Sequence, residues 1–489
     1  MNQKIESIEP LKKIEQREQR ERVKPIDPAN RASEGTPVGG GGRRIRIDSL
    51  TRELGLFALP MLAGNVLQSG YGMADMAVVG RFVGREALAA LSNTTMICFI
   101  WGALCMGFTL GGNVLAAQCR GAGERGRLQS VVRAQLALGL AGGLLLTAAC
   151  YLLYRPLLRL MQVPPAAMAQ AEAYMEIASA GYVFVFGYNA AAAIMRGLGD
   201  AVRPLYLVAV AAAVNVGLDI LLVGVLGWGV RGAAAATVVA QAASCLVALA
   251  LLLRQGAREG VSIGVPDLSS GLQGEAEAAR ALLRLGVPSA LRAAALNVSY
   301  LMVTALFNRY GTAAAAAAGI GLKVNTFVAM PCWAVGQAVL TMAGHAAGAK
   351  DTEGAGLVVR RGIRLALLST GALLLAIHAL LRPLLGLFTA DSEVVRQGVL
   401  YLRICCSLNF APYAAMFVLD CFATGVGFPL FAMVNSMLHS IVLRLGLSLL
   451  LAGPLGLGFA GLCIAESVSP VIPCGVGLAF LLRGRWREK

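Results

Sequence analysis

The chain has 489 residues, 57% of them hydrophobic and only 14% charged, with a mean hydropathy of +0.68. A soluble protein of this length carries about 25% charged residues, so most of this surface does not face water, and a string of several soluble domains is excluded. The net charge of +15 is unevenly spread and begins in a distinct leading segment.

Residues 1–48 are rich in charge and glycine, with Lys12-Lys13, Arg43-Arg44 and the run Gly39 to Gly42. They read as a disordered basic tail on the cytoplasmic side, resting near anionic lipid. Nucleic-acid binding is the other reading of such a tail, but the apolar chain behind it favours the membrane, so no nucleic-acid partner is expected. Met1 is not followed by an apolar run, so no cleavable signal peptide is visible.

Apolar stretches then follow one another, each long enough to cross about 30 Å of hydrocarbon. The expected spans are 54–79, 88–117, 131–154, 168–195, 204–226, 232–253, 285–308, 315–346, 360–381, 395–423, 429–452 and 458–482. This gives an all-α polytopic membrane protein of about twelve transmembrane helices. The polar stretch 257–283 is a cytoplasmic linker between an N-lobe (49–256, spans 1–6) and a C-lobe (284–482, spans 7–12), and 483–489 form a cytoplasmic C-terminal tail. Loops holding Arg120, Arg125, Arg127, Arg196 and Arg203 are richer in basic residues than the opposite loops, which places both termini inside.

The halves resemble each other. Leu59-Pro60 matches Val287-Pro288, and Gly80-Arg81-Phe82-Val83-Gly84 matches Asn308-Arg309-Tyr310-Gly311 with one deletion. Gln118 to Gly123 matches His345 to Lys350, and Tyr174 to Ile177 matches Tyr401 to Ile404. Six helices per half make the repeat parallel, its pseudo-two-fold axis lying along the membrane normal.

Intramembrane acids cost about 2.5–3.5 kcal/mol each and so mark function. Asp75 shares a helix face with Gln68 and Tyr71, and Asp219 shares one with Asn215. With Thr237 as a neighbouring hydroxyl, these oxygens suit a small hard cation or a proton, which a buried carboxyl beside a like charge holds readily. Pro60, fifteen residues before Asp75, allows a bend in the first helix. In the C-lobe, Val303 replaces Asp75, Arg444 falls where Asp219 was, and Glu466 where Thr237 was. The interior charges there are Arg292, Lys323, Asp420, Arg444 and Glu466, and a structural ion pair of Arg444 with Glu466 is expected rather than a second transport site. The eleven cysteines include no Cys-x-x-Cys and act as small hydrophobes. With three scattered histidines, no metal site is expected.

These features together resemble the multidrug and toxic compound extrusion (MATE) transporters. The resemblance rests on Pro60 and Asp75, Ala117-Gln118-x-x-Gly121-Ala122-Gly123, Arg196-Gly197-Leu198-Gly199-Asp200 with Pro204, Asn215-x-x-x-Asp219, and Gly229-x-x-Gly232-Ala233-Ala234. Met330-Pro331, Arg444 and Ala465-Glu466 are similar to the DinF-like bacterial subgroup, and Ala295-Leu296-Asn297 stands where some members carry an acid in helix 7. The resemblance implies that Asp75, Asn215, Asp219 and Thr237 bind the coupling ion, H⁺ or Na⁺, with Tyr174 and Asn189 beside it. It implies alternating-access export of amphipathic, cationic organic compounds from a monomer in the bacterial cytoplasmic membrane, without a cofactor. A flippase for lipid-linked precursors shares this architecture and is the rival reading, kept alive by Arg292, Lys323 and Arg444. A membrane-embedded enzyme such as a prenyl transferase would need clustered Asp-x-x-Asp motifs, which are absent from the sequence.

Overall fold

The computed structural model describes residues 49–161, 163–259, 272–389, 391–407 and 410–488. The expected tail at 1–48 lies outside these residues. In chain order the α-helices are α1 Leu50–Phe82, α2 Arg85–Ala122, α3 Arg125–Leu160, α4 Pro165–Ala180, α5 Tyr182–Gly197, α6 Val202–Asp219, α7 Gly229–Glu259, α8 Leu272–Asn308 and α9 Thr312–Gly348. They continue with α10 Thr352–Ala379, α11 Leu381–Gly386, α12 Ser392–Cys405, α13 Phe410–Gly425, α14 Pro429–Met437, α15 Gly446–Ala452, α16 Gly458–Val468 and α17 Val471–Arg483. No strand occurs among the described residues.

Nine helical stretches among these residues are long and apolar enough to cross a bilayer, and α4–α5 and α12–α13 form two further bent spans. The α4–α5 pair bends by 46° around Gly181. The 33 residues of α1, at 1.5 Å each, reach about 50 Å, long enough for a further span. Large apolar side chains stand fully outward, including Leu152 at 76% and Leu482 at 78% exposure. A water-soluble surface does not tolerate so many; hydrocarbon requires them.

Helix ends run past the expected spans. Helix α8 starts at Leu272, so residues 272–283 of the expected linker are helical, anchored by buried Leu282 and by the Arg133–Glu275 ion pair at 3.4 Å. Residues 260–271 of that linker lie outside the described set. The expected C-terminal tail is not free either: residues Arg485–Glu488 form a 3₁₀ turn in which Trp486 packs edge-on against Phe422 at 5.0 Å and donates to the Leu481 carbonyl at 3.1 Å.

Helix α1 serves both halves. Its first turns, Leu50, Leu54 and Ala58, belong to the core of the second half with Val328, Val335 and Val339. Its far end, at Val79, belongs to a core of the first half with Leu91, Tyr154 and Met175. Pro60 lies just past the first group, and α1 stays α-helical through it.

The halves close on each other where α2 and α9 end. Gln118 Nε2 donates to the Gly425 carbonyl at 2.9 Å, while His345 Nε2 lies 2.7 Å from the Gly197 carbonyl. Gln118 and His345 are matched in the repeat, so one contact is the pseudo-symmetric copy of the other. A Cβ at Gly121 would collide with the His345 carbonyl oxygen, and one at Gly348 with that of Gln118. Only glycine permits this backbone approach.

Candidate ion-binding site

Helix α6 carries Asn215 and Asp219 one turn apart. Immediately after Asp219 the helix widens into a π segment, Ile220–Val225, a distortion that in helices frequently accompanies functional residues. Asp219 is wholly buried at 0% exposure. It meets the Asp75 carboxyl of α1 oxygen to oxygen, and two carboxylates in contact need a proton or a cation between them.

The donors around this pair are scarce. Asp75 Oδ1, Asn215 Oδ1 and both carboxyl oxygens of Asp219 are buried without a hydrogen-bond donor. The Asn215 amide nitrogen is turned away and donates to Thr237 Oγ1 at 3.4 Å, and the Thr237 hydroxyl donates in turn to the Ala233 carbonyl at 3.0 Å. The Asn215 oxygen is therefore left buried without a donor. Tyr174 of α4 lies near Thr237 and both carboxyls. Such a cluster of hard, donor-poor oxygens is fit for a small cation or a proton.

Of the residues expected beside the site, Tyr71 bonds to Gln68 and faces Asp75, while Gln68 itself is exposed. Asn189 does not join: its amide donates to the Val185 carbonyl of its own helix at 2.8 Å, the usual resort of an amide inside a membrane helix.

The second half is built differently. Arg444 and Glu466 form an ion pair at 2.8 Å with side chains 2% and 8% exposed. Asp420 is held separately, accepting from Asn435 Nδ2 at 2.8 Å and Ser436 Oγ at 2.7 Å. Arg292 is buried, with its guanidinium 5.9 Å from the Phe417 ring. Lys323 is exposed, on a stripe of α9 with Gly319, Thr326 and Phe327, while Val324, Asn325 and Val328 are buried; at 100° per residue the exposed four share one unpacked face of the helix. The eleven cysteines are all free, and no metal-ligating cluster occurs among the described residues.

Sequence reading missed Tyr300, Asn325 and His439, which surround the ion pair, and the Asn435-Ser436 anchor of Asp420. A polar dipeptide inside an apolar run was the available signal for the last of these.

The MatE family matches the chain twice, over residues 60–221 and 288–450, so the internal repeat is a duplication of one family unit. The chain is 31% identical over 351 residues to the probable multidrug resistance protein YoeA of Bacillus subtilis, covering 71% of this chain and 75% of that protein. It is 28% identical over 320 residues to the DNA damage-inducible protein F of Escherichia coli, covering 62% and 65%. The fold superposes on the MATE transporter VcmN of Vibrio cholerae with a TM-score of 0.82 and 22% identity, covering 91% of this chain and 99% of that one. Two family units, the apolar exterior and a buried oxygen cluster in the first unit converge on one assignment: the chain belongs to the MatE family of multidrug efflux transporters, membrane proteins that carry small molecules across the bilayer without a cofactor.

Proposed function

We propose that this protein is a secondary active exporter of amphipathic organic cations, driven by H⁺ or Na⁺ entering through Asp75, Asn215, Asp219 and Thr237. The observation that carries this reading is Asp219: fully buried, with both oxygens lacking a donor and a second acid against it. An ion bound there removes the repulsion between the carboxyls. Because Asp75 sits on α1, whose other end is packed into the second half, that relief is transmitted to the opposite lobe, with Pro60 as the point where the helix yields. One charge moving down about 100 mV supplies roughly 2.3 kcal/mol, enough for a substrate gradient of about fiftyfold. The protein acts as a monomer in the bacterial cytoplasmic membrane, with both termini inside.

The lipid-linked precursor flippase is the weaker reading, because a pyrophosphate cavity needs free cations. Arg444 is neutralised by Glu466 and Arg292 lies beside Asp420, which leaves Lys323 as the exposed cation of the three.

The test is counterflow of a fluorescent organic cation in proteoliposomes under imposed pH or Na⁺ gradients, wild type against Asp219→Asn. Transport that follows one gradient and vanishes in the variant supports the antiporter and names its ion. Silence of folded wild type under every gradient overturns the drug-export reading in favour of the flippase.

A further inference from the structure

The two halves carry opposite chemistry at matched positions. Pro204 matches Pro429 and Gly229 matches Gly458, and in that register Arg444 stands where Asp219 stands and Glu466 where Thr237 stands. Both helices are π-wound here: one segment begins directly after Asp219, and the other, Leu438–Leu445, contains Arg444. The first half thus holds buried oxygens without donors, and the second holds a buried acid with a cation already on it.

That cation is fixed from several sides. Arg444 Nη2 lies 2.8 Å from Glu466 Oε1, and its guanidinium carbon sits 3.9 Å over the Tyr300 ring. Asn325 Nδ2 approaches the same carboxyl oxygen at 3.5 Å. The other titratable groups facing the guanidinium are Tyr401, Tyr413 and His439, none of which supplies a second acid. Arg444 Nε and Glu466 Oε2 remain without partners, beside a cavity of about 30 Å³ lined by Tyr300, Asn325, His439 and both charges. A water needs about 10–15 Å³ on this measure, so the site has room for an ion and little else once a side chain is shortened.

We infer that Arg444 is a tethered substitute for a coupling ion: its guanidinium occupies, in the second lobe, the place that an exchangeable cation takes in the first. A guanidinium keeps its charge at any physiological pH and cannot leave. The second lobe is therefore held in an ion-loaded arrangement, and ion exchange is confined to the first. This assignment rests on the ion site proposed above for Asp75 and Asp219.

The test is thermal unfolding of the full-length purified protein with Na⁺ exchanged for choline at constant ionic strength, and separately on acidification. In Asp219→Asn no Na⁺ response remains. A residual response that Glu466→Gln then removes would mean that Glu466 already exchanges an ion with Arg444 in place, and would overturn the assignment without any Arg444 variant having to fold. In Asp219→Asn/Arg444→Met, Na⁺ raises Tm by about 1.5 °C per tenfold increase above the binding midpoint, and adding Glu466→Gln abolishes the rise. Where the wild-type response is to Na⁺, a response of that double variant to acid alone is the behaviour of a merely structural pair and also overturns the assignment. Absence of any Asp219-dependent ion response in wild type counts instead against the first-lobe site, and the Arg444→Met comparison still reads the second lobe independently.

Discussion

Asp219 of α6 and Asp75 of α1 meet carboxyl to carboxyl inside the first half of the protein, although 144 residues separate them in the chain. The contact joins the most buried acid of that half to a helix that is also packed into the other half. Whatever relieves the repulsion between these two groups acts on both halves at once.

Thr237 orients this site without contributing a charge. Its hydroxyl is committed to the Ala233 carbonyl and receives the Asn215 amide, which leaves the Asn215 oxygen buried without a donor. Thr237→Ala frees that amide and is expected to cost about 1 kcal/mol. Ion-driven transport in proteoliposomes should then need about fivefold more coupling ion for half-maximal rate, and Thr237→Ser should restore most of it. An unchanged ion requirement in the alanine variant would remove Thr237 from the site.

Pro60 leaves α1 intact yet one backbone hydrogen bond short. Pro60→Ala supplies the missing N–H, stiffens the helix between its two packing regions and should leave Tm unchanged or higher. The expected outcome is a transport rate at least tenfold lower with ion-dependent stabilisation retained, read by counterflow and thermal unfolding on the same preparation. Wild-type turnover in this variant would show that α1 does not need to bend.

Glu466→Gln leaves Arg444 charged, buried and without its acid. Removing one partner of such a pair costs about 3–5 kcal/mol, whereas replacing both by neutral groups is often tolerated. Thermal unfolding should therefore rank the double variant Arg444→Met/Glu466→Gln well above Glu466→Gln alone. Equal losses in the two would mean that the pair contributes through shape rather than charge.

Gly348 admits the carbonyl oxygen of Gln118 into the space a side chain would fill. Gly348→Val blocks this approach and should open the end of the molecule where Gln118 meets Gly425 and His345 meets Gly197. Labels at the exposed positions Arg125 and Glu353 are expected to move apart, with export reduced more than tenfold. An unchanged distance between the labels would show that closure at this end does not depend on the glycine.

Sequence alone determined the membrane class, the all-helical fold and the internal duplication, and it singled out the first-lobe acids, because each is a local or periodic property. Hydropathy over twenty residues, a repeated motif and an acid in an apolar run are all written in single segments. Arg444 and Glu466 were also legible as partners, since two opposite charges inside hydrocarbon have little alternative to each other.

Tertiary structure decided what depends on the rotation and depth of one helix against another. Lys323 and Asn189 sit in the same kind of apolar run as Asp219, yet helix rotation leaves the first exposed and the second spends its amide on its own backbone. No spacing rule foretold that Asp75 would touch Asp219, that α1 would be shared between the halves, or that Gln118 and His345 would repeat one contact. These are meetings between distant segments, fixed by the packing of whole helices, and a single chain read in order carries no signal of which faces will meet.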